Sequence, residues 1–324
     1  MIDKRYFGKR IAQYRKRRNL SQADLAEYLG VTSQAVSKWE CGSALPDVEL
    51  LLELSRLYGA TINALLCGDD LLSRIADRSF TMRDIACFVD EAERLYNRNW
   101  AKEIVSGQWI RRNWEAQKKH ITPVYEDVAK RINAHGGTIL EIGAGPGGGF
   151  MPSILFEKPD ANIIISDLSP TVVREWKKLL DGELHSPNIF YAALDNCDLP
   201  FQNDSIDVVS DGGGIGNTEG ERQKALNGIY RILKPGGLFV TSTGFVTKET
   251  LSALPENVQL QLLEKRPDIF QDLYEETVIA GFTKIDSMIS GCWYTENDDS
   301  TIADLARSLG INLKFTSYVR YCTK

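Results

Sequence analysis

Four acidic residues, Glu141, Asp167, Asp195 and Asp211, recur through the middle of the chain, each in or just after a short apolar run. An ionised carboxylate only accepts hydrogen bonds, and it can take two O–H donors or stand opposite an amine. The first lies in Thr138–Ile139–Leu140–Glu141–Ile142, which runs into Gly143–Ala144–Gly145–Pro146–Gly147–Gly148–Gly149. Glycine at 143, 145 and 147 lets the backbone take φ > 0 and lets a ligand reach main-chain N–H groups with no Cβ in the way. Phe150 to Phe156 can then begin a helix, whose N-terminus favours a polar or anionic group. Gly143, Gly145 and Gly148, with Asp167 further on, also meet the spacing of a dinucleotide site. Taken alone, the turn is compatible with a dinucleotide, a phosphate or no ligand.

Alternating elements must position these residues. Thr138–Ile142 is a buried strand behind the breaker pair Gly136–Gly137. Ile163–Ser166 is a second, ending at Asp167–Leu168, and Ser169 caps a helix through Leu180. Asn188–Ala193 leads to Leu194, Asp195 and Asn196, then to Leu199–Pro200–Phe201. Ser205–Ser210 ends at Asp211, before Gly212–Gly213–Gly214–Ile215–Gly216–Asn217. A helix near Arg222–Leu233 meets Lys234–Pro235–Gly236–Gly237, and Leu238–Thr241 is a fifth strand. Strands alternating with helices imply a doubly wound parallel sheet, with ligands at the carboxyl ends of its strands. Helices over 269–280 and 301–309, a strand region over 284–294 and a last alternating strand over 313–322 complete the C-terminal part.

The first seventy residues differ in charge and pattern. The net charge is +3 over residues 1–68 and −9 over the remainder, so one part of the chain suits a polyanion. Tyr6 to Arg18 reads as a cationic helix with Phe7, Ile11 and Tyr14 inside. Ser21 caps a short helix striped by Leu25, Ala26 and Leu29, which Gly30 ends. Ser33 can cap the next helix, with Val36 and Trp39 inward and Gln34, Ser37 and Lys38 outward. Two short helices across a glycine turn form a helix-turn-helix. Leu20 to Glu40, with the leucines of 45–66 behind them, resemble the DNA-binding domain of the lambda Cro and repressor type. The resemblance implies that Gln22 touches phosphate, that Ser33, Gln34, Ser37 and Lys38 face base edges, and that the protein reads DNA as a homodimer. Glutamine suits adenine and lysine suits guanine.

Glu141-x-Gly143-x-Gly145-x-Gly147, Asp167, Asp195–Asn196 before Leu199–Pro200–Phe201, and Leu233–Lys234–Pro235–Gly236–Gly237 together resemble the class I S-adenosylmethionine-dependent methyltransferases. The resemblance implies S-adenosyl-L-methionine as cofactor. Glu141, Gly143, Ala144, Gly145 and Gly147 would back its methionine part, and Asp167, beside Leu168, would accept from both ribose hydroxyls. Asp195 would take the adenine amino group with Asn196 at the ring edge, and Asp211 is a further candidate for the cofactor site. A dinucleotide site has no place for Asp195 or the Lys-Pro-Gly-Gly turn.

The expected architecture is an all-α helix-turn-helix domain over 1–68, a helical connector over 69–119 with helix from Met82 to Tyr96, and an α/β Rossmann-like domain over 120–324. Trp109, Trp114, Tyr125 and Asn217 are candidates for a lid or acceptor wall. The chain lacks the Asn/Asp-Pro-Pro-Tyr/Phe motif of amino-methylating DNA enzymes and the Pro-Cys of cytosine enzymes, so the expected acceptor is a small molecule. The alternative is a transcriptional regulator whose methyltransferase fold only senses S-adenosylmethionine or a related ligand. Six cysteines are scattered with no metal spacing, and no metal site is expected. No apolar run approaches the eighteen or so residues of a membrane span, and no signal peptide precedes the first helix, so a cytoplasmic location is expected.

Overall fold

The computed structural model describes residues 4–58, 60, 62–67, 70–82, 84–90, 107–157, 159–184, 188–218, 220–297 and 301–324. They form two compact units that divide between Ala76 and Asp77.

The first unit is helical. α1 (Lys4–Arg17), α2 (Gln22–Leu29), α3 (Ser33–Glu40), α4 (Val48–Tyr58), α5 (Ile62–Cys67) and α6 (Asp70–Ile75) follow one another. Ser21 caps α2 in a capping box with Asp24, and Gly30 ends it in the left-handed conformation. The cap of α3 is Thr32 rather than Ser33, because the Thr32 hydroxyl accepts the Ala35 N–H. Phe7, Ile11, Leu25, Val36, Leu54 and Leu65 are fully buried at the centre. α1 crosses α3 at Gly8, where an added Cβ would lie 2.3 Å from the Trp39 carbonyl oxygen.

The second unit is built on a nine-stranded sheet, ordered β1 (Thr81–Met82), β2 (Ala86–Cys87), β5 (Ile189–Ala193), β4 (Asn162–Asp167), β3 (Thr138–Ile142), β6 (Ile206–Asp211), β7 (Leu233–Phe245), β9 (Lys314–Thr323) and β8 (Lys284–Tyr294). From β2 to β7 the neighbours are parallel, and β9 and β8 close the sheet antiparallel. The order reverses at β3, so the crevice beyond β3 and β6 is the topological switch point where such sheets bind ligands. Before β3 come α7 (Gln108–Lys119) and α8 (Pro123–His135), the latter capped by Thr122 with proline in its first turn. α9 (Met151–Phe156) and α10 (Pro170–Glu183) follow β3 and β4, and α11 (Arg222–Ile232) precedes β7. α12 (Lys248–Ser252), α13 (Glu256–Lys265), α14 (Tyr274–Ala280) and α15 (Thr301–Ser308) complete the unit.

The connector departs from expectation. Residues 77–82, 84–90 and 107–119 belong to the larger unit, and residues 84–90 are not helical. Ala86 and Cys87 pair with β5, and the Phe88 N–H donates to Ala193. Edge pairing there satisfies the backbone and buries Ile85 and Ala86, which an exposed helix would not. The rest of the expected helix, and Trp100, lie outside the described residues.

Because backbone rather than a flexible side chain meets it, a methyl at Gly8 has nowhere to go. Gly8→Ala is expected to cost about 1–3 kcal/mol. Urea unfolding followed at Trp39 should show an earlier transition for the first unit, with the larger unit's transition unmoved.

Candidate functional site

In the first unit, α3 presents Ser33, Gln34, Ser37 and Lys38 as exposed side chains while Val36 and Trp39 are buried beneath. The helix is anchored by Arg15 of α1, whose Nε and Nη2 donate to Glu40 at 2.6 and 3.0 Å. Gln22 stands at the first turn of α2, and its Nε2 also donates to Glu40 at 2.7 Å. The three elements of the helix-turn-helix therefore converge on one carboxylate, and four exposed hydrogen-bonding side chains share the outer face of α3.

In the larger unit the glycine turn leaves β3 at the switch point. Gly143 and Gly145 take positive φ as expected, but Gly147 does not; Gly148 and Gly149 do instead. The need for glycine at 143 and 212 is set by contact between the glycine turn and the loop after β6. A Cβ on Gly143 would lie 2.8 Å from the Gly214 Cα, and one on Gly212 would lie 2.4 Å from the Gly149 Cα. Beside Gly145, by contrast, the nearest atom to an added Cβ is a carbonyl oxygen at 3.9 Å. Ala144 is held by its N–H on the Ser166 carbonyl.

The four carboxylates divide into two kinds. Glu141 and Asp211 are fully buried and are consumed by the protein, which corrects their expected place against a ligand. Glu141 accepts the Phe150 N–H at 3.0 Å, the Ser210 hydroxyl and the Gly212 N–H. Asp211 accepts the N–H groups of Gly213 and Ile215 and the Thr241 hydroxyl at 2.7 Å. These short apolar strands have to bury any residue inside them, so both carboxylates serve as loop anchors. Asp167 and Asp195 stand at the strand ends. Asp167 accepts the N–H of Gly145 and of Ser169, both at 2.8 Å, and so ties the turn to the loop after β4. Leu168 next to it is half-buried. Asp195 is half-buried and accepts the Cys197 N–H at 2.9 Å. Asn196 projects between the loops toward Gly143, and its Oδ1 is buried without a hydrogen-bond partner. An orphaned acceptor there is costly and singles out this loop.

The expected acceptor wall is largely core. Trp114 is 1% exposed and packs on Phe156 and Trp176. Tyr125 sits edge-on to Phe150 at 5.1 Å, and Trp109 packs against the same core. Aromatics of this size go inside whenever a helix docks on a sheet. The Asn217 side chain lies outside the described residues. Instead, β7 runs past Asp211 to Phe245, stacked on Tyr318 at 5.3 Å, and buried Arg320 donates to Thr243 at 3.0 Å. Alternation alone did not mark these residues, because the strands carrying them extend beyond the parallel core.

Sequence reading also missed the outer side of the turn. Trp176 Nε1 donates to the Gly145 carbonyl at 2.7 Å, Asn113 Nδ2 to Pro146 at 3.0 Å and Gln117 Nε2 to Gly147 at 2.8 Å. The available signal was the i, i+4 polar pair flanking Trp114. Lys234 of the Lys-Pro-Gly-Gly turn binds Asp207 at 2.8 Å, so that motif closes the base of the sheet. Among the described residues, no cluster of histidine, cysteine and acidic side chains could hold a metal ion, and no helix is long and apolar enough to cross a membrane.

Comparison with known proteins agrees with this geometry. A helix-turn-helix family model matches residues 11–65, and a methyltransferase-domain model matches residues 140–241. The HTH-type transcriptional activator BcrR of Enterococcus faecalis is 40% identical over 67 residues, 21% of this chain and 33% of that protein. The ubiquinone/menaquinone biosynthesis C-methyltransferase UbiE of Methylococcus capsulatus is 35% identical over 78 residues, 24% of this chain and 31% of that protein. An uncharacterised chloroplast methyltransferase of Arabidopsis thaliana is 29% identical over 168 residues, 50% of this chain and 43% of that protein. The chain thus spans less than half the length of each of these relatives. Among solved structures, phosphoethanolamine N-methyltransferase 2 of Haemonchus contortus, in complex with S-adenosyl-L-methionine, overlaps 75% of this chain and 61% of that chain, at 17% identity and a TM-score of 0.48. The chain thus carries a helix-turn-helix domain over residues 11–65 and a methyltransferase domain over residues 140–241.

Burial pushes the Glu141 carboxyl up to about 8 from 4.5, and burial likewise pushes Asp211 up to about 6 from 3.8. Between the ordinary and raised values the folded protein keeps a proton that the unfolded chain releases, so stability falls as pH rises through this range. Glu141→Gln keeps an acceptor for Phe150 while removing the ionisation. The fall in melting temperature between pH 5 and pH 8 is expected to shrink by several degrees in this variant, measured by thermal unfolding in parallel buffers.

Proposed function

We propose that the larger unit binds S-adenosyl-L-methionine at the glycine turn and transfers its methyl group to a small organic molecule, while the first unit binds specific DNA sites. The observation that carries the cofactor reading is the open space beside Gly145, whose N–H Asp167 takes, together with the orphaned Asn196 Oδ1 on the loop next to Gly143. When bound, the cofactor supplies an electrophilic sulfonium methyl. Asp167 would accept from the ribose hydroxyls while it holds the turn. Asp195 would accept from the adenine amino group, with Asn196 and Leu168 at the ring. Glu141 and Asp211 keep the two loops at fixed separation without touching the ligand. Methyl transfer is an in-line displacement, so orientation supplies most of what the protein must provide. The acceptor would enter beside the Gly212–Gly214 loop and the far end of β7. The likeness to a quinone-biosynthesis C-methyltransferase supports a small organic acceptor. In the first unit, Gln34 and Lys38, with Ser33 and Ser37, would meet base edges and Gln22 a phosphate, as a dimer on two half-sites.

Purified protein with radiolabelled cofactor and a metabolite extract is expected to transfer label to a small molecule. Asp167→Ala should weaken cofactor-product binding in calorimetry about 10- to 100-fold, the loss of charge-assisted hydrogen bonds. Cofactor-dependent DNA affinity with no label on any acceptor would replace the enzyme reading by a sensor.

For the DNA half, Gln34→Ala with Lys38→Ala is expected to lower affinity for the gene's own upstream region by about tenfold or more. Mobility shifts at fixed salt that leave binding unchanged would refute this role.

A further inference from the structure

Three successive carbonyls of the glycine turn, Gly145, Pro146 and Gly147, are each held by a side-chain donor from outside the turn. Asn113 and Gln117 come from one face of α7, and Trp176 comes from α10. α7 does not need these bonds to stay in place. It is docked by Ile110 and Trp114, both 1% exposed, and by Lys118 on Glu183 of α10 at 3.1 Å. Nor does the Gly147 carbonyl need its bond for satisfaction, since Gly147 is exposed and water could serve. What the donors do is fix the orientation of a segment whose glycine backbone is otherwise costly to order. With the carbonyls turned outward to α7 and α10, the opposite edge of the turn faces Asp167, which takes the Gly145 N–H.

We infer that Asn113 and Gln117, with Trp176, are positioning residues of the cofactor site: they clamp the glycine turn in its ligand-receiving conformation before the ligand arrives. The role rests on the S-adenosylmethionine reading above. It places α7, which sequence reading assigned to a connector, inside the binding machinery. A preordered turn spares the ligand the entropy of ordering it, so the clamp acts on affinity and not on the chemical step.

The test uses the full-length protein and S-adenosylhomocysteine in calorimetry. Asn113→Asp with Gln117→Glu keeps side-chain size but turns two donors into acceptors that repel the carbonyls. It is expected to weaken binding about tenfold or more. In turnover, KM for the cofactor should rise by a similar factor, with kcat at saturation within about twofold. Gln117→Lys, which keeps a donor, should bind within about threefold of wild type. Trp176→Phe keeps the ring packing and removes only the N–H, and serves if the double variant does not fold. In all of these, backbone amides of residues 143–149 in the ligand-free protein should exchange faster whenever a donor is lost. A folded double variant, or Trp176→Phe, that binds as wild type with unchanged exchange overturns the clamp alone. A wild-type protein that binds no S-adenosylhomocysteine overturns the cofactor reading and the clamp with it.

Discussion

The larger unit depends on one buried carboxylate. Glu141, the second-last residue of β3, has no exposure and lies between the loop that follows it and the loop after β6. Its oxygens take donors from Phe150, Ser210 and Gly212, so one side chain sets the distance between the two loops. At that distance the backbones touch, Gly149 on Gly212 and Gly143 on Gly214, with no room for a Cβ. The glycines are therefore a consequence of the carboxylate as much as a provision for a ligand. Asp211 repeats the device one strand over, tying its own loop to Thr241 of β7. Burying two acids this close in an apolar sheet costs free energy at neutral pH, as their raised proton affinities record. A site that spends stability on loop geometry is the expected signature of function rather than of packing.

Much of this architecture was legible in the sequence, and the failures have physical causes. Strands β3 to β7 could be read because central parallel strands are buried on both faces and appear as continuous β-branched runs. The two edge strands near residue 85 could not, because two residues of pairing leave no periodicity. Glu141 and Asp211 could be found but not interpreted: a motif marks an acid, while only packing shows whether its oxygens face a ligand or the protein. Asp167 is the last residue of β4 and Asp195 lies two residues beyond β5, so both stand at the carboxyl end of the sheet, where a change from apolar run to acid is visible in the sequence. Trp114 illustrates the opposite error. An aromatic in a polar helix invites a functional reading, yet the neighbouring polar residues Asn113 and Gln117 are the ones that reach the glycine turn.

The same logic separates the two halves of the first unit. Its core was readable from Phe7, Ile11, Leu25, Val36 and Trp39 at helical spacing. The ion pair that locks it was not, since Arg15 and Glu40 lie 25 residues apart and belong to different helices. Arg15 and Glu40 are nearly buried, at 10% and 9% side-chain exposure, which makes this pair unlike the exposed pairs elsewhere on the chain. Breaking such a pair strands a charge, so its effect should exceed that of a surface bridge. Gln22 joins the same carboxylate, so the residue expected at a phosphate is oriented by the helix whose outer face would meet bases.

Charge then bears on what the methyltransferase fold can act upon. The first 68 residues carry +3 and the remainder −9. A duplex presents one negative charge for about every 1.7 Å of its length, and binding draws most of its affinity from neutralising them. The larger unit is of the wrong sign to make such contacts, and beside its glycine turn it offers carboxylates rather than lysines. A base acceptor would have to be brought, with its phosphates, against that acidic surface at a cost that the basic first unit could offset only for its own contacts. A small uncharged acceptor would meet no such barrier, because it brings no phosphates with it. The charge division therefore points the same way as the missing amino- and cytosine-methylating motifs, and both support the proposed small acceptor over a DNA base.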